Sequence, residues 1–189
     1  MYKKAFLSNY ELDKFKVYTS SANSRFEVSK RFKIKKLKNV DFLFNLSKVV
    51  NDTKELKLSV INGEIIEFNV LNPAYVLEKN QEIVNTFTNY SSNYEEFVRN
   101  YEKDYELFLQ SPLAFSLKQS DINCFYVSSF KGYFDSFSLH LKNGFEFYQP
   151  IFTSLKDSEE LVIYANFHHA FFDLARAKKF YDYLAELLK

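Results

Sequence analysis

The sequence predicts a mixed α/β domain, and three observations carry the prediction. Residues 26–34, FEVSKRFKI, alternate apolar and polar side chains through Phe26, Val28, Phe32 and Ile34, the period of a half-buried strand. Asn62-Gly63 lies between two apolar runs in ELKLSVINGEIIEFNV (55–70), the turn chemistry of a tight hairpin. Tyr94, Phe97, Tyr101, Tyr105 and Phe108 recur at helical spacing in NYEEFVRNYEKDYELF, an aromatic stripe suited to core packing.

The remaining elements follow in order. VDFLFNLSKVV (40–50) places Val40, Leu43, Phe44, Ser47 and Val50 on one helical face. After the hairpin, NPAYVL and IVNTFT continue the strand pattern up to the aromatic helix. Three further strands are expected at 123–128, at FDSFSLHL (134–141) and at FEFYQPIF (145–152). LVIYANFHH (161–169) reads as a strand, and Leu174, Ala177, Phe180 or Tyr181, and Leu184 form the stripe of a helix starting near Asp173. No repeat, low-complexity tract or linker divides the chain, so one domain over 1–189 is expected.

Composition removes several function classes. Hydrophobic residues make up 47% of the 189, with 22 Phe and 14 Tyr, which is ample for one aromatic-rich core. The three glycines, Gly63, Gly132 and Gly144, supply no Gly-rich phosphate loop. A net charge of +1 argues against a nucleic-acid partner, and the basic run KRFKIKKLK (30–38) alternates with apolar residues as a strand edge would. One cysteine, Cys124, excludes an intrachain disulfide framework and any cysteine-based zinc cluster, and fits a reducing compartment. There is no signal-peptide core in the N-terminal stretch and no run of 18 apolar residues, so a cytoplasmic protein without a membrane partner is expected.

The chemistry gathers in NFHHAFFDLARA (166–177). Alternate strand residues share a face, so Leu161, Ile163, Ala165, Phe167 and His169 point one way, and Val162, Tyr164, Asn166 and His168 the other. Adjacent histidines separated in this manner cannot readily chelate one ion, and no metal is expected. His169 falls on the more apolar face, where burial favours the neutral imidazole that a general base requires. Asp173, just ahead of the helix, is suited to an N-cap. Spacing alone fits a catalytic base with its partner and an inert strand end followed by a cap.

The segment H-H-A-F-F-D (168–173) resembles the HHxxxDG signature of the chloramphenicol acetyltransferase family. The likeness extends along the chain. NPAYVLEKNQEIVNTFTNYSSNYEEFVRNYEKDYELF is similar to the family's NP-x-Y segment, T-F strand and F-x-x-x-Y helix. FDSFSLHL is similar to its F-x-SF-x-L-N strand, QPIFT to its P-I-I-T run, and KFKVYTSSANSRFEVSKRFKI to its F-x-x-Y…F-S-L-T segment. The resemblance implies a two-layer α/β sandwich, a mixed β-sheet with helices packed on one face. It also implies a homotrimer with its sites between subunits, acetyl-CoA as co-substrate, and a small-molecule alcohol as acceptor. His169 would be the general base, and Asp173 would hold the histidine segment in shape. Tyr18, Phe26 and Ile151 match positions lining the acceptor pocket, and Thr153 matches a threonine that binds an ordered water.

Four features depart from that pattern, one being the absence of the family's two tryptophans together with shorter loops around the hairpin and before Leu161. The glycine after the aspartate is Leu174. The arginine that pairs with the aspartate aligns near Tyr10 or Glu11, leaving Lys14 or Arg176 as substitutes. The serine serving the oxyanion aligns to Val127, with Ser128 and Ser129 the nearest hydroxyls. Two readings follow: an O-acetyltransferase of chloramphenicol or a similar alcohol, and a catalytically inactive relative serving as a trimeric ligand- or protein-binding scaffold.

Overall fold

A computed structural model describes residues 1–20, 24–34, 37–80, 82–110, 122–141, 146–157 and 159–189. The order of elements is β1 (Tyr2–Lys4), α1 (Asn9–Thr19), β2 (Arg25–Lys33), α2 (Asn39–Asp52), β3 (Leu58–Ile61), β4 (Glu64–Phe68) and β5 (Asn72–Lys79). They continue with β6 (Glu82–Phe87), α3 (Tyr94–Gln110), β7 (Cys124–Lys131), β8 (Ile151–Asp157), β9 (Glu160–His168) and α4 (Leu174–Leu187). A six-stranded sheet runs β2-β9-β8-β7-β5-β6, and a smaller sheet runs β1-β4-β3. The larger sheet is mixed: β7 is parallel to both neighbours, and the other pairs are antiparallel.

One face of the large sheet carries the main core. Phe32, Tyr75, Phe125, Val127, Phe152, Leu161, Ile163, Ala165 and Phe167 all meet the apolar faces of α2, α3 and α4 in one cluster. The helices contribute residues at i, i+3/i+4 spacing, such as Phe42, Leu43, Leu46, Val49 and Val50 from α2. Burying side chains of this size contributes roughly 1.5–3 kcal/mol each before entropy is counted. The helices therefore occupy one side of a mixed sheet, the architecture expected.

The small sheet was not foreseen beyond its hairpin. Asn62 and Gly63 both take positive φ, 52° and 78°, as a two-residue hairpin turn requires. Ile66 and Phe68 of β4 enter the main core, whereas Leu58, Val60 and Ile65 enter a second cluster with Phe15, Tyr18, Tyr148, Ala170 and Phe171. This second core presses α1 against the segment following β9.

Two expected strands differ. Residues 134–141 form no strand: Phe137, Leu139 and Leu141 are half-buried in alternation, but the segment lies over the helix-free sheet face. There Phe137 packs on Tyr164 at 5.6 Å and the Leu139 carbonyl accepts from Asn166 at 3.4 Å. The strand expected at 145–152 runs instead over Ile151–Asp157. Pro150 brings no N–H to a ladder, and the carbonyls of Phe147 and Gln149 are taken by the Arg25 guanidinium. Residue 145 lies outside the described residues.

Candidate functional site

The site is built where β9 ends. Its last residue, His168, pairs in register with Arg25 of β2. The His169 N–H extends that pairing by donating to the Ser24 carbonyl at 2.6 Å. The chain then turns, with the Phe171 and Phe172 amides donating to the His168 carbonyl at 3.3 and 3.0 Å. Asp173 caps α4 by accepting the Arg176 N–H at 2.9 Å, the N-cap read from the sequence.

The imidazole of His169 packs against two rings: Tyr18 at 4.7 Å, only 14° from parallel, and Phe26 at 4.3 Å. Tyr18 stacks on the imidazole, and Phe26 meets it at a tilt of 32°. Burial, and then the nearby Lys14 cation, lower the His169 pKa from its ordinary value; a hydrogen bond to the Phe172 carbonyl and the Asp173 carboxylate work the other way. The ring is thus neutral. A neutral imidazole keeps one ring nitrogen with a free lone pair, the group that accepts a proton in general-base chemistry.

His168 has a different environment. Its Nδ1 accepts the Ala170 N–H at 3.1 Å, and its ring packs on Tyr148 at 4.7 Å. Burial first, then the charges of Arg25 and His169, push its pKa down to about 4. The division of the two histidines between opposite sides of the strand holds in the structure.

Asp173 meets two cations, the Arg176 guanidinium and Lys14 Nζ, the latter at 3.4 Å. Burial alone would raise its pKa, but the Arg176 amide and both cations more than offset this and hold it below the usual carboxylate value. Both substitutes proposed for the missing arginine therefore reach the aspartate. Arg176 also bonds Glu55 at 3.0 Å, tying the start of α4 to the segment before β3. Leu174, in the glycine's place, is the first residue of α4, and its side chain is 63% exposed, so the turn accommodates its Cβ without blocking the imidazole. Phe172 is buried against Phe167 at 4.5 Å.

The structure gathers His169, Asp173, Tyr18 and Phe26 and leaves the other expected residues apart. Ser128 pairs in register with Thr153, and Thr153 with Tyr164. Because Val127 and Phe152 face the helices, Ser128, Ile151 and Thr153 face the opposite side of the sheet. Tyr164 precedes His169 by five residues, about 16 Å at strand rise. Ser129 sits on the helix side, with its hydroxyl 2.8 Å from that of Ser154. Val127, at the aligned serine position, is a core residue. Among the described residues no cluster of three or more His, Cys, Asp or Glu side chains is placed to hold a metal ion.

Sequence reasoning missed the support behind the turn: Phe15, Tyr148 and Phe171, whose rings meet at 5.4–6.3 Å, and Ser24 and Arg25. One local signal was available. Ser8-Asn-Tyr-Glu11 is a capping box, formed in the structure at the start of α1.

A profile of the chloramphenicol acetyltransferase family matches residues 3–185. A chloramphenicol acetyltransferase of Campylobacter coli is 29% identical over 179 residues, spanning 90% of this chain and 86% of the relative. The fold superimposes on a solved chloramphenicol acetyltransferase with a TM-score of 0.82 at 13% identity, covering all of both chains. A probable dihydrolipoamide acetyltransferase from Listeria monocytogenes shares it at a TM-score of 0.64 and 12% identity, over 98% and 94% of the two chains. With the family profile spanning nearly the whole chain and the same architecture in solved structures, the protein belongs to the chloramphenicol acetyltransferase family.

Proposed function

We propose that the protein is an O-acetyltransferase that moves the acetyl group of acetyl-CoA to a hydroxyl of chloramphenicol or a similar small alcohol. Family membership supports acyl transfer. One observation carries the residue assignment: a neutral His169 imidazole packed against the rings of Tyr18 and Phe26 at the end of β9. An alcohol is a weak nucleophile at neutral pH, and such an imidazole can take its proton as the oxygen attacks the thioester carbonyl. Acetyl-CoA supplies an activated acetyl group, and coenzyme A leaves as thiol. Tyr18 and Phe26 offer apolar walls to an acceptor. Asp173, fastened by Arg176 and Lys14, fixes the turn that presents His169.

Ser128, Ile151 and Thr153 lie on the other side of the sheet, so they serve this chemistry only if a second copy brings its own across to His169. The sheet face opposite α2, α3 and α4 supports such an assembly, since among the described residues Tyr126, Phe130 and Tyr133 are 40–49% exposed there. A homotrimer with sites between subunits is the arrangement we propose. One observation favours the inactive-scaffold reading, the apolar Val127 at the oxyanion position. Losing one such donor costs on the order of a hundredfold or more in rate.

The test is thiol release from acetyl-CoA with chloramphenicol and a panel of other alcohols. Acceptor-dependent release that His169→Ala lowers by about 10²–10⁴-fold is expected. Acetyl-CoA binding without release would establish the scaffold reading; release indifferent to the substitution would remove His169 as base. Mixing His169→Ala subunits with Ser128→Ala/Thr153→Val subunits should restore activity, and a monomeric mass in solution would overturn the shared site.

A further inference from the structure

Arg25 makes contacts that the proton transfer at His169 does not itself use. It is the first residue of β2, half-buried, and its guanidinium makes hydrogen bonds to four oxygens. Nε donates to the Asn166 side-chain oxygen and Nη1 to the Phe147 carbonyl. Nη2 donates to the Gln149 carbonyl at 3.0 Å and to the Asn166 carbonyl at 2.8 Å. Burial lowers its pKa to about 10, which leaves it fully charged at neutral pH.

These contacts reach two separate segments. Asn166 belongs to β9, three residues before His169, whereas Phe147 and Gln149 belong to the irregular stretch leading into β8. Between the two clamped carbonyls is Tyr148, whose ring touches His168 at 4.7 Å, Phe171 at 5.5 Å and Phe15 at 6.3 Å. The residues flanking Arg25 meet the turn from its other side: the Ser24 carbonyl holds the His169 amide, and the Phe26 ring packs on the His169 imidazole. Described residues 146–150 lie outside any strand, and a planar guanidinium with fixed donor directions can hold three backbone carbonyls and a side-chain amide oxygen at once.

We propose that Arg25 is a positioning residue for His169, clamping Phe147–Gln149 across β9 so that Tyr148 braces the histidine turn from behind. Its effect on catalysis rests on His169 being the base, but its effect on the turn does not. Misplacing a reacting group by an ångström can cost about a hundredfold. Arg25→Met is therefore expected to lower kcat by about 10–100-fold while KM for acetyl-CoA stays at the wild-type value. In Arg25→Ala, added guanidinium ion below denaturing concentration should recover part of the lost kcat, whereas sodium chloride should not.

A second measurement works without turnover. Amide hydrogen exchange at His169 and Ala170 should accelerate in Arg25→Met, and Arg25→Lys, which keeps the charge but not the fork, should fall between it and wild type. Unchanged exchange in both variants would overturn the proposal, as would a raised KM at unchanged kcat, which would put Arg25 in contact with substrate. Loss of kcat that only tracks loss of folded protein, without guanidinium recovery, would also overturn it. If wild type shows no His169-dependent turnover but exchange responds as expected, the assigned chemistry fails and the clamp stands.

Discussion

His168 and His169 are neighbours in sequence on opposite sides of one strand, and their surroundings separate bracing from reactivity. His168 has its Nδ1 engaged by a backbone amide, a tyrosine against its ring, and a pKa near 4. His169 has two aromatic rings beside it, and a carboxylate and a lysine acting on it in opposite senses. Both are neutral near pH 7. A backbone amide on Nδ1 makes His168 part of the turn's own bonding, whereas the contacts of the His169 ring are aromatic faces and opposed charges.

The largest expected effect breaks this contrast at its reactive end. His169→Gln should lose about 10²–10⁴-fold in kcat/KM, measured by thiol release, at a thermal midpoint close to wild type. His168→Ala should do the reverse. It strands the Ala170 N–H, a loss of about 1–3 kcal/mol, read as a lowered midpoint in chemical denaturation with a smaller change in rate.

The pH response sharpens the comparison. A histidine whose folded pKa lies below its unfolded value binds fewer protons in the native state, so it withdraws stability as pH falls. For His168 the window is from about 6.5 down to about 4. Unfolding free energy measured by urea titration should decline across that range by a few kcal/mol, and His168→Asn should flatten the decline. For His169 the readout is the acid limb of kcat/KM. Lys14→Met removes a cation that disfavours imidazolium, so the limb should move to higher pH; Asp173→Asn removes an anion that favours it, so the limb should move lower.

Asp173→Ala should also cost about 1 kcal/mol of stability through the lost N-cap. The smallest effect belongs to Leu174→Gly. It restores the residue expected in the family pattern, yet Leu174 is helical and exposed. Stability should fall by at most about 1 kcal/mol, and thiol release should be unchanged.

What was legible in the sequence was local. The alternation of residues 161–169 gave the faces of both histidines, Asn62-Gly63 gave a hairpin, and Asp173 ahead of an apolar stripe gave a cap. Helix α1 was missed because it buries no residue fully and its amphipathicity is weak; it is fixed by Phe15 and Tyr18 meeting side chains far along the chain. FDSFSLHL kept a strand's alternation without a ladder partner, so periodicity reported a covered surface and misreported the pairing. Arg25 carries no local signal of its role. It reads as one more basic residue at a strand edge until Phe147, Gln149 and Asn166 are brought to it.

The strand order has a consequence for biosynthesis. Among the described residues, strand β2 is an edge whose sole neighbour in the sheet is β9, and β9 separates it from β8. During translation β2 therefore leaves the ribosome long before the strand it pairs with exists, and its unpaired backbone is a site for association with other chains. The strand that closes the sheet also delivers the histidines. A nascent chain halted after β8 lacks both histidines and leaves β2 and one side of β8 without a partner strand, surfaces open to association with other chains.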